Sequence, residues 1–424
     1  MDLLLKHCKI IDPSSAYHDT IQDVLIIDGK INLIGSDLSS KTAKIISFPG
    51  QYLFPGWLDL GTHTGDPGFE HRDDLRSIGM AAAAGGFVGV ACMPNTQPVV
   101  HSKSGVLYVR RETANQLVDF LPIGALTKDC KGLEITEMID MHEAGAVLFS
   151  DGLHAVSHSG VLLRALQYVK SFDGVVMHHP FESTLAKDGQ LHEGYTSTTL
   201  GMLGIPALSE EIMVQRDLSL LAYAASKLHL HCISTVASVE MVRQAKQAGL
   251  NVTASVAYLN LIFTDEDVAG FNSDLKVLPP LRSTADKEAL LQGLEDGTID
   301  AICSNHLPLE EELKKLEFSY ADFGATGLQT LYSGLRTRLN EQQFSPALMA
   351  EKLAHGPRRI LGLPSISIAE GQTAQLTLCS PDDHWSLDPS TNQSKSRNTP
   401  FWRGILKGKV LGVINGQQSM IFEP

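Results

Sequence analysis

The strongest constraint in this sequence is an alternation. Between about Pro55 and Pro364, β-rich runs (GFVGVACMP, AGAVLFS, GVVMHHP, KLHLHCIST, NVTASVA, IDAICSNH) take turns with helical stretches (RSIGMAAAAGG, VLLRALQYVKS, LSEEIMVQRDLSLLAYAASK, SVEMVRQAKQAG). A strand that returns parallel to its predecessor needs a crossover, most often a helix, so repeated β–α units of this length call for a parallel sheet. Around eight such units over roughly 250 to 310 residues predict a closed (β/α)8 barrel of the TIM type across 55–364. In such a barrel the chemistry is carried by side chains at the C-terminal ends of the strands.

The two ends of the chain have a different texture. LLLKHCKII, DVLIIDGKINLIG and AKIISFPGQYLF at the start, and AQLTLCSP and GILKGKVLGVINGQQSMIF at the end, are β-like runs separated by turns. Asp28-Gly29 and Asn415-Gly416 are hairpin signals, because a two-residue turn of the primed type needs residues that accept positive φ. A small β-sandwich domain assembled from 1–54 and 365–424 is the expectation.

Composition removes several classes of function. With 424 residues, 43% of them apolar, the chain can bury a large core, and its net charge of −14 argues against nucleic acid or an anionic membrane as main partner. No apolar run approaches the roughly 20 residues of a membrane span, and the start, MDLLLKHCKIIDPSS, is too polar after its short apolar run for a signal peptide. Six cysteines without a CxxC spacing read as reduced thiols in a cytoplasmic protein.

The strand ends offer a histidine-rich rim. His63 follows the first strand in "GWLDLGTHTGDPGFEHRDD", and Asn95 lies in "CMPNT". Asp151 lies in "LFSDG", His178 and His179 in "VVMHHP", His229, His231 and Cys232 in "LHLHCIST", and Asn305 and His306 in "CSNHLP". Imidazole, thiolate and carboxylate are the donors of a zinc site, and a hydrolytic one also wants a carboxylate to take the proton from metal-bound water. The last strand supplies Asn305 instead, and the position that would pair with His63 is Gly61. Strand alternation places His229 and His231 on one face and Cys232 on the other, and sets His178 and His179 on opposite sides. Each residue also has a plainer role: His63 as a hydrogen-bonded loop histidine, Asp151 as a turn cap, Cys232 as a buried structural thiol.

In order along the chain, "FPGWLDLGTHTGDPGFEHRDDLRSIGMAAAAGGFVGVACMPNTQP", "LHEGYTSTTLGMLGIPALSEEIMVQRDL", "LPPLRSTADKEALLQGLEDGTIDAICSNHLP", "DFGATGLQT" and "RNTPFWRGILKGKVLGVINGQ" resemble dihydroorotases of the amidohydrolase superfamily. The resemblance implies a metal-dependent barrel that interconverts carbamoyl aspartate and dihydroorotate. Carried over residue by residue, it matches Asp59, His63, Asp151, His178 and the substrate-binding Asn95. Gly61 stands at the first metal-ligand position, Gly65 at the arginine that clamps the substrate carboxylate, and Gly152 at the second aspartate of a Ser-Asp-Asp-Gly turn. Pro180-Phe181 replaces a Glu-Asp pair, Cys232 stands at a ligand histidine and Leu278 at a substrate-contacting asparagine. Asn305 stands at the catalytic aspartate.

A scaffold kept while metal, base and clamp positions depart together predicts a non-catalytic member. By analogy with bacterial assemblies that contain such chains, it is expected to serve as a scaffold or regulatory partner of an aspartate transcarbamoylase subunit and to form a homodimer. No cofactor is the main expectation. The alternative is one zinc ion on Asp151, His178 and Cys232 in a hydrolase of reduced means, and a third reading is a sensor that binds a small molecule without turnover.

Overall fold

The computed structural model describes residues 2–422. Six barrel strands run Trp57–Thr62, Phe87–Cys92, Asp119–Pro122, Val176–His178, Leu228–Leu230 and Val252–Ala257, and the last is Ala301–Cys303. All neighbouring strands pair in parallel. The strand expected in AGAVLFS is reduced to one position, Phe149, bridged in parallel to Gly124 on one side and Val176 on the other. Most of these strands are buried along their whole length, as a parallel sheet covered on both faces requires.

The circle closes through a carboxylate. Asp59 accepts from the Ser304 backbone N–H at 2.6 Å, from Ser304 Oγ at 2.7 Å and from Thr62 Oγ1 at 2.5 Å, tying the last strand end to the first. One step further on, the His63 N–H donates to the His306 carbonyl at 3.0 Å. Asp59, one of the residues matched to the dihydroorotase motif, thus ties the barrel closed.

Local sequence starts the covering helices. Leu75–Ala84 opens on a capping box between Asp74 and Ser77, Thr284–Glu295 on one between Ser283 and Asp286, and Val236–Gln247 on Thr235, which accepts from Ser238 N–H. The long helix Leu208–Ala224 buries two carboxylates, Glu210 and Asp217. Glu210 accepts the Ser234 and Thr235 amides at 2.7 and 3.2 Å, which fixes the loop after strand Leu228–Leu230.

Both chain ends join one eight-stranded sheet. Its order is Gln418–Ile421, Ile405–Asn415, Gln375–Ser386, Tyr52–Pro55, Leu3–Ile10, Ile21–Ile27, Lys30–Gly35, with Lys44–Ser47 pairing Leu3–Ile10 in parallel. Asp28 and Gly29, at φ 50° and 74°, make the hairpin turn that their sequence announces. This sheet has its own core around Leu5, Ile10, Val24, Leu376, Leu411 and Ile414. Among the described residues no helix is long and apolar enough to cross a membrane.

Candidate functional site

The site is the barrel mouth, and its most informative residues are those that carry no side chain. Gly61 sits at φ +92°, where an L-residue is strained. A Cβ there would lie 2.8 Å from Cε1 and Nε2 of His231 and 2.6 Å from the Met93 methyl. The His231 ring therefore fills the space into which a ligand at 61 would project. At Gly65, also at positive φ, a Cβ would meet the Asp73 carbonyl oxygen at 2.4 Å. No side chain, least of all an arginine, has room to start there.

The other departures are likewise paired with an occupant. A Cβ on Gly152 would lie 1.9 Å from Asn95 Oδ1. Asn95 holds this turn, donating from Nδ2 to the Asp151 carbonyl at 3.0 Å and accepting the Leu153 N–H at 3.2 Å. Asn305, at φ +47°, donates from Nδ2 to the Leu278 carbonyl at 3.0 Å. An aspartate at 305 would set a carboxylate oxygen against that carbonyl.

Two of the retained residues, Asp151 and His178, are committed to protein partners. Asp151 is buried and accepts the Thr127 N–H at 2.8 Å through one oxygen and the Thr127 hydroxyl through the other. Burial raises its pKa above the ordinary range, opposed by those Thr127 bonds. His178 accepts the Val156 N–H on Nε2 at 2.9 Å, so its proton is on Nδ1, which donates to Asp217 Oδ2 at 2.6 Å. Arg216 braces the second Asp217 oxygen through Nε at 2.9 Å and Nη2 at 2.7 Å. Both His178 nitrogens are spent.

His63 differs from the sequence expectation. Its ring has no hydrogen-bond partner among the described residues; only its backbone is bonded. Burial, with His306, His154 and His179 nearby, holds the imidazole neutral and lowers its pKa to about 3. His179, whose Nδ1 lies 3.2 Å from the His231 carbonyl, is lowered by burial to about 4, and His229 to about 3. His306 accepts the Gly327 N–H on Nδ1 at 3.1 Å and stands 3.5 Å from buried Asp73.

Cys232 also departs from the expectation. Strict alternation put it on the face opposite His231, but the strand stops at Leu230 and Cys232 adopts φ +56°. That left-handed residue turns its Sγ toward Cys303 Sγ, 3.3 Å away. Among the described residues, His231, Cys232 and Cys303 are the one set of metal donors whose ligand atoms all lie within 4.8 Å of one another. His63, Asp151 and His178 are not gathered into such a set among the described residues, and the committed atoms of Asp151 and His178 do not fit the metal centre that the resemblance implies. Sequence reasoning missed Asp217, Met93 and Cys303. The last was visible only as one more scattered thiol, two positions before Asn305.

Neutral buried histidines make stability pH-dependent. Their folded pKa values lie below the unfolded value near 6.5, so the unfolded chain binds more protons as pH falls below that point. Stability is full above about pH 6.5 and is lost on acidification towards about pH 4. Each such ring is expected to cost roughly 1 kcal/mol between about pH 7 and 5.5. Urea unfolding followed across that range checks this, and a flat profile would contradict it.

This barrel with its attached β-domain is the fold seen in solved hydantoinases and dihydropyrimidinases. An L-hydantoinase (dihydropyrimidinase) from Arthrobacter aurescens superposes with a TM-score of 0.87 at 24% identity, covering 100% of this chain and 96% of its own. A dihydropyrimidinase from Brevibacillus agri gives 0.82 at 19%, over 100% and 95%. Within that fold the sequence is more specific. Residues 50–238 match the family of dihydro-orotase-like proteins. A dihydroorotase from Pelotomaculum thermopropionicum is 40% identical over 98% of this chain and 97% of its own, and one from Caldanaerobacter subterraneus is 38% identical over 98% and 97%. The chain belongs to the dihydroorotase-like family.

Proposed function

We propose that this chain is a dihydroorotase-family protein of pyrimidine biosynthesis that no longer opens or closes the dihydroorotate ring, and that it serves as a scaffold or regulatory partner of an aspartate transcarbamoylase subunit. The carrying observation is the occupied space at Gly61 and Gly65, where the metal ligand and carboxylate clamp of the family would begin. The amide at 305 adds to it, since loss of a general base alone costs about 10²- to 10⁴-fold. For a partner role, the segment 195–212 exposes Tyr195, Leu203, Leu208 and Ile212.

The test is turnover of carbamoyl aspartate and dihydroorotate by protein incubated with zinc, together with co-purification against an aspartate transcarbamoylase subunit. Turnover at the uncatalysed background and a changed assembly state are expected. Rapid turnover sinks the non-catalytic reading, and failure to associate sinks the partnership.

A second reading is a working hydrolase with one metal on Asp151, His178 and Cys232. It is favoured by the relatives at 37–40% identity that carry the name dihydroorotase along nearly their whole length. It requires His178 to release Val156 and Asp151 to release Thr127.

A further inference from the structure

We infer that His231, Cys232 and Cys303 form a buried binding site for one thiophilic divalent cation of the zinc type, at the floor of the mouth. The inference goes beyond the non-catalytic reading of function, and it competes with the one-metal reading because both draw on Cys232.

Three observations carry it. The donors are of the right kind and number: two sulfurs and one imidazole, a set suited to zinc and its congeners. They are already close, with the sulfurs 3.3 Å apart and all ligand atoms within 4.8 Å, whereas tetrahedral zinc with sulfur ligands at about 2.3 Å separates them by about 3.8 Å. Small adjustments suffice. Finally, the donors are placed by the fold. Ser255 Oγ takes the Cys232 N–H at 3.3 Å and lies 3.1 Å from His231 Nδ1 and 3.0 Å from His229 Nε2, so one hydroxyl ties the Cys232 backbone to the neighbouring imidazoles. Met93 and the missing side chain at Gly61 bound the far side of the His231 ring.

Charge selects the ion. All three side chains are almost wholly buried, at 4, 1 and 0% exposure. Binding converts two thiols to thiolates, sends their two protons to solvent and leaves M²⁺ with two thiolates and a neutral imidazole, a net charge of zero. A monovalent ion would leave a buried negative charge, which burial penalises. Cys232 stands at a ligand position of the family resemblance but His231 and Cys303 do not, so this site shares one residue with the one the resemblance implies and differs in the other two.

The experiment titrates reduced, full-length protein with cobalt(II) and zinc(II) alone. One equivalent of cobalt is expected to give thiolate-to-metal charge-transfer absorption that zinc displaces. Zinc X-ray absorption on the same wild-type protein is expected to show two sulfur neighbours. Cys303→Ser is expected to weaken zinc more than about 10-fold, whereas Asp151→Asn leaves it unchanged. The absorption data need no variant, so a misfolded Cys303→Ser leaves the inference testable. It is overturned by absence of charge transfer at several equivalents, by an all-nitrogen and oxygen zinc shell, by a band of undiminished intensity and affinity in Cys303→Ser, or by two missing thiols marking a Cys232–Cys303 disulfide. Turnover of dihydroorotate is read separately, so failure of this site and failure of the non-catalytic reading are distinct results.

Discussion

Replacing Gly61 by histidine, the residue that would rebuild the first ligand position, is expected to lower the unfolding free energy by roughly 2–6 kcal/mol and to produce no turnover. Two costs combine. The backbone at φ +92° strains any L-residue by about 1–3 kcal/mol. The new side chain must also displace His231 and Met93, whose atoms lie within 2.8 Å of its first carbon, and such overpacking costs about 1–3 kcal/mol. Urea unfolding of Gly61→His and Gly61→Ala separates them, since alanine carries the strain and only the first atom of the clash. A Gly61→His protein as stable as the parent would mean that the His231 ring moves aside freely, and the occupied-mouth reading would fall.

The second large effect is expected at Asp217. Asp217→Ala should destabilise by about 3–5 kcal/mol, because it leaves the His178 N–H and the Arg216 guanidinium without their buried acceptor. Asp217→Asn keeps one acceptor oxygen for His178 and should cost less. Thermal and urea unfolding of the two variants checks the order. Equal, small losses would show that His178 is held by Val156 alone and is free to turn toward a ligand. This residue therefore decides stability and, through His178, whether the one-metal reading has a usable imidazole.

Much of the scaffold was legible because it is local. Apolar runs of 3–6 residues, capping residues such as Asp74, Thr235 and Ser283, and the Asp28-Gly29 turn each declare themselves within a few positions. The fourth barrel strand was overread: AGAVLFS has strand composition, yet it pairs only at Phe149. The mouth was legible as a list of departures from a family pattern, namely Gly61, Gly65, Gly152, Leu278 and Asn305. Their pairing was not. His231 against Gly61, Asn95 against Gly152 and Leu278 against Asn305 are separated by 170, 57 and 27 positions, and only the closed barrel brings each pair into contact.

The sequence by itself determined the alternation of strand and helix, the two β-rich ends and the identity of every residue on the rim. Those follow from period, propensity and turn chemistry, which act between near neighbours. Only the tertiary structure decided what the rim residues do. His178 and Asp151 are spent because Val156, Asp217 and Thr127 reach them across the fold. Cys232 meets Cys303 because a left-handed residue at the strand end reverses the alternation. The physical reason is that a donor atom's availability depends on which groups already saturate it, and that is set by contacts between distant segments.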